Sequence, residues 1–299
     1  MVKGKRASDI VRTACDTMSD EHAGVVANLI YSGWTYANLP HRRLANDAKW
    51  QIQTDYVTLV VEPGFIVNSD GSYTYLGCPF GPTARLILIY LQTRALETGE
   101  RTVELGSSLR GFLGRLGISH GGKTQRTVRD QIMRISHCKL TFQLRKDGVR
   151  GVSNQAIVDT AMFWEADQVN DRQGSLFQDR LKLSEGFYQQ LRRHAVKLDE
   201  AAVRKIHKNS RALDAYSWLA FRLHNIQEPT FITWAALRPQ FGQGISTDVE
   251  FRRTFADDLR LAQSVYPDAD LDILPKGVFL RSSPPPIMEK PRHLTLITD

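Results

Sequence analysis

Ser108-Leu109-Arg110, followed by Phe112 and Gly114, is matched later in the chain by Ala236-Leu237-Arg238, followed by Phe241 and Gly242. Gly117-Ile118-Ser119 is likewise matched by Gly244-Ile245-Ser246; the offset is 128 residues at Leu109 and 127 at Ile118. A period of that size is a whole domain, so the repeat indicates a duplicated unit and not a solenoid. The 299 residues leave room for about two units of roughly 150 residues each.

The two units read in the same order. In the first, Thr83 is expected to cap a helix over Ala84 to Glu97 that is apolar almost all round and therefore buried. A short helix follows over Ser107 to Leu116, then a turn over Gly117 to Gly122, then a helix over Lys123 to His137. Leu140, Phe142 and Leu144 alternate with polar residues, the period of a strand, and Ala156 to Trp164 is read as its return. In the second, Ser184 caps a helix to about His194, and another runs over Asp199 to His207. Ser210 to Ile226 is the long apolar helix, Ala235 to Phe241 the short one and Asp248 to Tyr266 the third, with Thr247 and Glu250 forming a capping box. Leu271 to Leu280 closes the unit as a hairpin around Pro275-Lys276-Gly277.

Ahead of both units, Val11, Ala14, Met18, Val25 and Leu29 recur at helical spacing up to Gly33. So narrow a stripe suits either a seam between two copies or packing on its own domain. Tyr56 to Val61 and Tyr73 to Leu76 read as a hairpin across the Asp70-Gly71 turn. The expected fold is therefore α+β, two tandem winged-helix (helix-turn-helix) domains with an N-terminal helical extension. The boundaries are 1–54 for the N-terminal helix and basic linker, 55–174 and 175–286 for the two domains, and 287–299 for a tail.

Charge is concentrated in one place. Between Gly106 and Arg150 there are ten Lys and Arg and only two acids, while the whole chain is +7. The remainder thus sums to about −1, and the basic excess marks one segment as a polyanion-binding surface. In a helix-turn-helix the second helix enters the major groove, its first turns meeting base edges. Lys123, Thr124, Gln125, Arg126 and Arg129 occupy that place in the first unit. Thr247, Arg252 and Arg253 occupy it in the second, where Asp257 and Asp258 dilute the charge and leave ordinary surface polarity as the alternative. Lys146 and Arg150 in the first hairpin, and Lys276 in the second, sit where a wing would touch phosphates.

Signatures of catalysis are sparse. There is no G-x-x-x-x-G-K-[ST] run. His137-Cys138 lacks a second ligand pair at zinc spacing, and the other histidines are scattered, so neither a metal nor a cofactor is expected. Tyr188 near Arg192 and Arg193 could serve as a nucleophile but reads better as a packed aromatic. Cys15, Cys78 and Cys138 are odd in number and far apart, no apolar run approaches membrane length, and no secretory signal follows Lys3, Lys5 and Arg6; a reduced, cytoplasmic protein without enzymatic chemistry is expected.

Several stretches, in order, resemble the plasmid-encoded RepA replication initiators. They are Leu39-Pro40-His41-Arg42-Arg43, Gly77-Cys78-Pro79-Phe80-Gly81, Ala84-Arg85-Leu86-Ile87-Leu88 and Gln92-Thr93-Arg94-Ala95. Glu104-Leu105-Gly106-Ser107-Ser108-Leu109, Leu213-Asp214-Ala215-Tyr216-Ser217-Trp218, Thr233-Trp234 with Gln240-Phe241-Gly242, and Pro284-Pro285-Pro286 extend the resemblance over roughly Leu39 to Pro286. It implies a protein that binds repeated double-stranded sites (iterons) in a plasmid origin and opens the adjacent duplex. It also implies recruitment of the host initiator and replicative helicase, a homodimer that represses its own promoter, and a part in copy-number control. A repressor on the same scaffold and an origin-nicking enzyme are the alternatives.

Overall fold

The computed structural model describes residues 26–119, 121–146, 149–162 and 179–288, with the side chains of 144–146, 149 and 150 left out of the description. Its organising element is helix α1 (Gly81–Thr98). Leu86, Ile87, Leu88, Ile89, Tyr90 and Leu91 form an unbroken apolar run, and all six are buried. Pro82 opens the helix after an extended Phe80, so Thr83 is not its cap as expected; Gly99, in the left-handed region, closes it. Helices α2 (Gly106–Arg115) and α3 (Gly122–His137) pack against α1.

The second half repeats this order. After α4 (Glu185–Arg193) and α5 (Glu200–Ile206) comes the central α6 (Ser210–Asn225), then α7 (Trp234–Phe241) and α8 (Asp248–Gln263). Burial follows the sequence offset of 127: Val128, Gln131, Ile132 and Ile135 of α3 are matched by Phe255, Asp258, Leu259 and Ala262 of α8, all buried. Gly117 and Gly244, at the same offset, both turn the chain in the left-handed region at φ of 74° and 75°. Ser184 caps α4 through the amide of Phe187, and Thr247 caps α8 through that of Glu250, as the sequence predicts.

The sheets correct three expectations. Residues up to 25 of the N-terminal helix lie outside the described residues, but Ala27–Tyr31 is strand β1, and Gly33 sits in a 3-10 turn over Ser32–Thr35. Asn28 and Ile30 are buried with their neighbours half-exposed, a period of two that outweighs Leu29 as a helical position. The expected hairpin of 56–61 with 73–76 is absent. Instead β2 (Trp50–Gln53), β3 (Val57–Glu62), β7 (Lys139–Lys146) and β8 (Val149–Ala156) form one antiparallel sheet in that order. Strands β4 (Phe65–Val67) and β5 (Tyr73–Tyr75) pair only with each other. The return of β7 is 149–156, not 156–164. A break at Ile157 sends β9 (Val158–Met162) into another sheet, beside β10 (Arg180–Leu183), which also pairs with β6 (Thr102–Glu104). Trp164 lies outside the described residues.

The halves interlock. Strand β1 pairs with β11 (Ala195–Asp199), and β12 (Thr230–Thr233), β14 (Gly277–Leu280) and β13 (Leu271–Leu274) make the last sheet. Between α1 and α6 Arg85 and Asp214 are joined by two contacts of 2.6 Å, with Nη1 and Nη2 also donating to the carbonyls of Pro40, Gly81 and Leu39. His41 lies against this cluster, 3.0 Å from the Ser210 hydroxyl. Burial, then the charges of Arg85, Arg211 and Arg42, push its imidazole down to about 2. A histidine held neutral when folded protonates at ordinary values once unfolded, so it contributes stability above about pH 6.5 that is lost as pH falls. Replacing His41 with glutamine should flatten the acid limb of a urea-midpoint-against-pH profile below that value.

Gly64 is required by a close approach. A methyl group built on it would overlap the carbonyl of His137 at the end of α3. Gly64→Ala should cost about 1–3 kcal/mol in a urea titration, because backbone cannot rotate aside.

Candidate nucleic-acid interface

Lys123, Gln125, Arg126 and Arg129 are exposed in the first two turns of α3, and Thr124 is half-buried beside Leu105, Leu109 and Val128 where α2 and α3 meet. Val128, Ile132 and Ile135 hold the opposite face in the core. No described residue forms an ion pair with Lys123, Arg126 or Arg129; Arg126 Nε donates to the carbonyl of Gly122 at 3.3 Å. Gly121 precedes α3 with extended backbone and no side-chain cap, so the positive end of the helix opens toward solvent. Uncapped amides with neighbouring cations suit a phosphate oxygen, and arginines further along suit guanine edges.

The counterpart on α8 differs. Arg252 and Arg253 are exposed, and Arg252 Nε donates to the carbonyl of Asp248 at 3.3 Å. The Thr247 hydroxyl caps the helix, and Asp248 and Glu250 place two acids in its first turn. Asp248 also pairs with Arg238. This helix end is therefore already satisfied, and a phosphate would meet repulsion there. Lys276 is exposed in the β13–β14 turn, which Trp234 pins by donating Nε1 to the carbonyl of Pro275 at 3.1 Å. Lys146 and Arg150 lie at the facing ends of β7 and β8, paired with Val149 and Arg145, and their side chains lie outside the described residues.

Two of the ten cations counted in the basic segment serve the fold instead. Arg134 is 3% exposed, bonded to Asp130 at 2.8 Å and stacked 5.2 Å from the Phe80 ring. Arg115 grips Glu200 at 2.6 and 3.0 Å, tying α2 to α5. Charge counting treats every arginine as surface, and neither position carries a sequence signal that separates it from Arg126.

The stretches Leu39-Pro40-His41, Ala84-Arg85 and Leu213-Asp214 meet in the buried cluster between α1 and α6. Gln92 accepts from the Tyr31 amide at 2.7 Å and from Trp34 Nε1 at 3.3 Å, and Gln131 holds the Phe80 amide at 2.9 Å. A family model described as plasmid-encoded RepA protein matches residues 78–235, more than half of the chain and the span that contains Arg85, Gln92, Gln131 and Asp214. The chain belongs to the plasmid-encoded RepA family. No curated protein matches it. A crystal structure of selenomethionine derivatives of domain 2 and domain 3 of RctB is 13% identical, with a TM-score of 0.51, and the match covers 87% of this chain and 93% of that one. A second crystal structure of RctB domains 2–3, also 13% identical, matches with a TM-score of 0.44 over 76% of this chain and 81% of that one. The RepA-family chain thus shares the mixed α+β arrangement of RctB domains 2 and 3. No described helix is long and apolar enough to cross a membrane.

Proposed function

We propose that this chain is a replication initiator that binds repeated double-stranded DNA sites at a plasmid origin through two winged-helix units, without catalytic chemistry of its own. The units are α1–α3 with the β7–β8 hairpin and α6–α8 with the β13–β14 hairpin, and α3 and α8 enter successive major grooves. The observation that carries this reading is the exposed Lys123, Arg126 and Arg129 face beside an uncapped helix end, on an element repeated in the second half. Unequal N-termini give the helices unequal tasks: α3 takes phosphate and base edges, while α8 reads mainly through Arg252 and Arg253. Linkage raises the affinity of two modest contacts when both engage. Duplex opening and recruitment of the host initiator and helicase belong to the same proposal and rest on the family alone. Tyr188 is 6% exposed under Arg192, a placement that gives no support to a nicking reaction.

Footprinting on the DNA flanking the gene, at physiological salt with random competitor, tests the reading. Several evenly spaced protected repeats are expected. A single palindromic footprint would make the chain a repressor, and salt-sensitive binding with no protected site would reject sequence recognition. Lys123→Ala should weaken cognate and random DNA alike and lower the salt slope by about one phosphate. An unchanged slope would remove the start of α3 from the interface.

A further inference from the structure

Between α1 and α2 lies a slot of about 160 Å³, bordered by the start of β1 and the first turn of α5. Asn28 of β1 lines it and is 1% exposed, and its Nδ2 has no hydrogen-bond partner among the described residues. A buried N–H without an acceptor is costly, and one in a native fold calls for a partner. Two guanidiniums line the same slot. Arg94 bonds Glu97 through Nη1 at 2.8 Å, and Arg115 bonds Glu200 through Nε and Nη2. No described residue takes a hydrogen bond from Arg94 Nε or Nη2, or from Arg115 Nη1. The hydroxyls of Tyr90 and Thr93, also in the lining, are engaged with the Glu104 carbonyl and the Leu29 amide.

We propose that this slot binds a small oxyanion, a phosphate or carboxylate group. Unspent donors from three side chains converge there, and each of the two carboxylates is already held by an arginine. The ligand therefore meets the outer edges of two guanidiniums and one amide N–H. Arginine suits oxyanions because its N–H groups donate in pairs. Size agrees, since a cavity of about 150 Å³ takes a molecule as large as benzene. A phosphate or a short carboxylic acid fits that space, and a macromolecule does not. Two arginines against two glutamates leave the lining neutral, which favours a ligand of low charge and sets a modest affinity, near millimolar.

The position gives the site a consequence. Arg94 belongs to α1, Arg115 to α2, Asn28 to β1 and Glu200 to α5, so an oxyanion held by these groups fastens the first half of the chain to the second. The slot and its charges stand whether or not α3 meets DNA.

Thermal unfolding of the full chain, with inorganic phosphate exchanged for chloride at constant ionic strength, reads the site. The wild-type Tm should rise and saturate, by roughly 2–5 °C at about ten times Kd. Arg94→Gln should lose most of that shift. Asn28→Leu should lose it while the protein without phosphate stays at least as stable, its unpaired amide gone. A Lys123→Ala/Arg126→Ala variant should keep the shift, which separates the slot from the start of α3. Acetate and glycerol phosphate distinguish the sources: a saturating shift with acetate assigns a carboxylate head, and a shift with the phosphates alone assigns a phosphate. No saturating shift with phosphate or acetate, an equal shift in Arg94→Gln, or a shift abolished by Lys123→Ala/Arg126→Ala would overturn the proposal. Should Asn28→Leu fail to fold, Arg94→Gln, on a half-exposed side chain, decides alone.

Discussion

Asp214→Ala is expected to destabilise the protein by about 3–5 kcal/mol, a large share of the roughly 5–15 kcal/mol of an ordinary domain. The substitution leaves the Arg85 guanidinium, 7% exposed, without its counter-charge. The carbonyls of Leu39, Pro40 and Gly81 still accept from it but carry no formal charge to offset its desolvation. Asp214→Asn keeps one acceptor and should lose less. The double variant Arg85→Met/Asp214→Leu removes both charges and should recover most of the loss, since well-packed apolar residues often replace a buried pair at little cost. Urea titration of the three proteins checks this. A loss under 1 kcal/mol for Asp214→Ala would mean that water reaches the pair.

The second large effect is on DNA. Arg126→Ala and Arg253→Ala should each cost about 1–3 kcal/mol against a cognate site and together about 2–6 kcal/mol, because the two helices lie in separate units and share no partner. Affinity for random DNA should fall far less, since base contacts and not phosphate contacts would be lost. Competition binding at fixed salt separates the two terms. Equal losses on both DNAs would reassign these arginines to the backbone, and no loss would remove them from the interface.

How much of this was legible in the sequence depended on range. Helices α1, α3, α6 and α8 follow from apolar spacing, and the Ser184 and Thr247 caps from local chemistry, because those causes lie within a few residues of their effects. Strand partners do not. Val57–Glu62 pairs with Lys139–Lys146 and not with Tyr73–Tyr75, a partner far along the chain that no local pattern encodes. Leu29 fits a helical stripe, yet Gln92 and Thr93, more than sixty residues away, accept the Tyr31 and Leu29 amides and help hold β1. Within the site, the exposure of Lys123, Arg126 and Arg129 follows from the α3 period, whereas the burial of Arg134 required Cys78, Phe80 and Asp130 to converge on it. The family motifs proved architectural: Arg85, Gln92 and Asp214 are buried where they hold the core together.

The pairing of Ala27–Tyr31 with Ala195–Asp199 also sets a timetable. A ribosome releasing about 5–20 residues per second leaves β1 waiting roughly ten to thirty seconds for its partner. Throughout that interval the nascent chain carries an open strand edge beside an apolar α1. The protein is thus completed late and all together, and its synthesis, more than its finished fold, is the stage at which chaperones would matter.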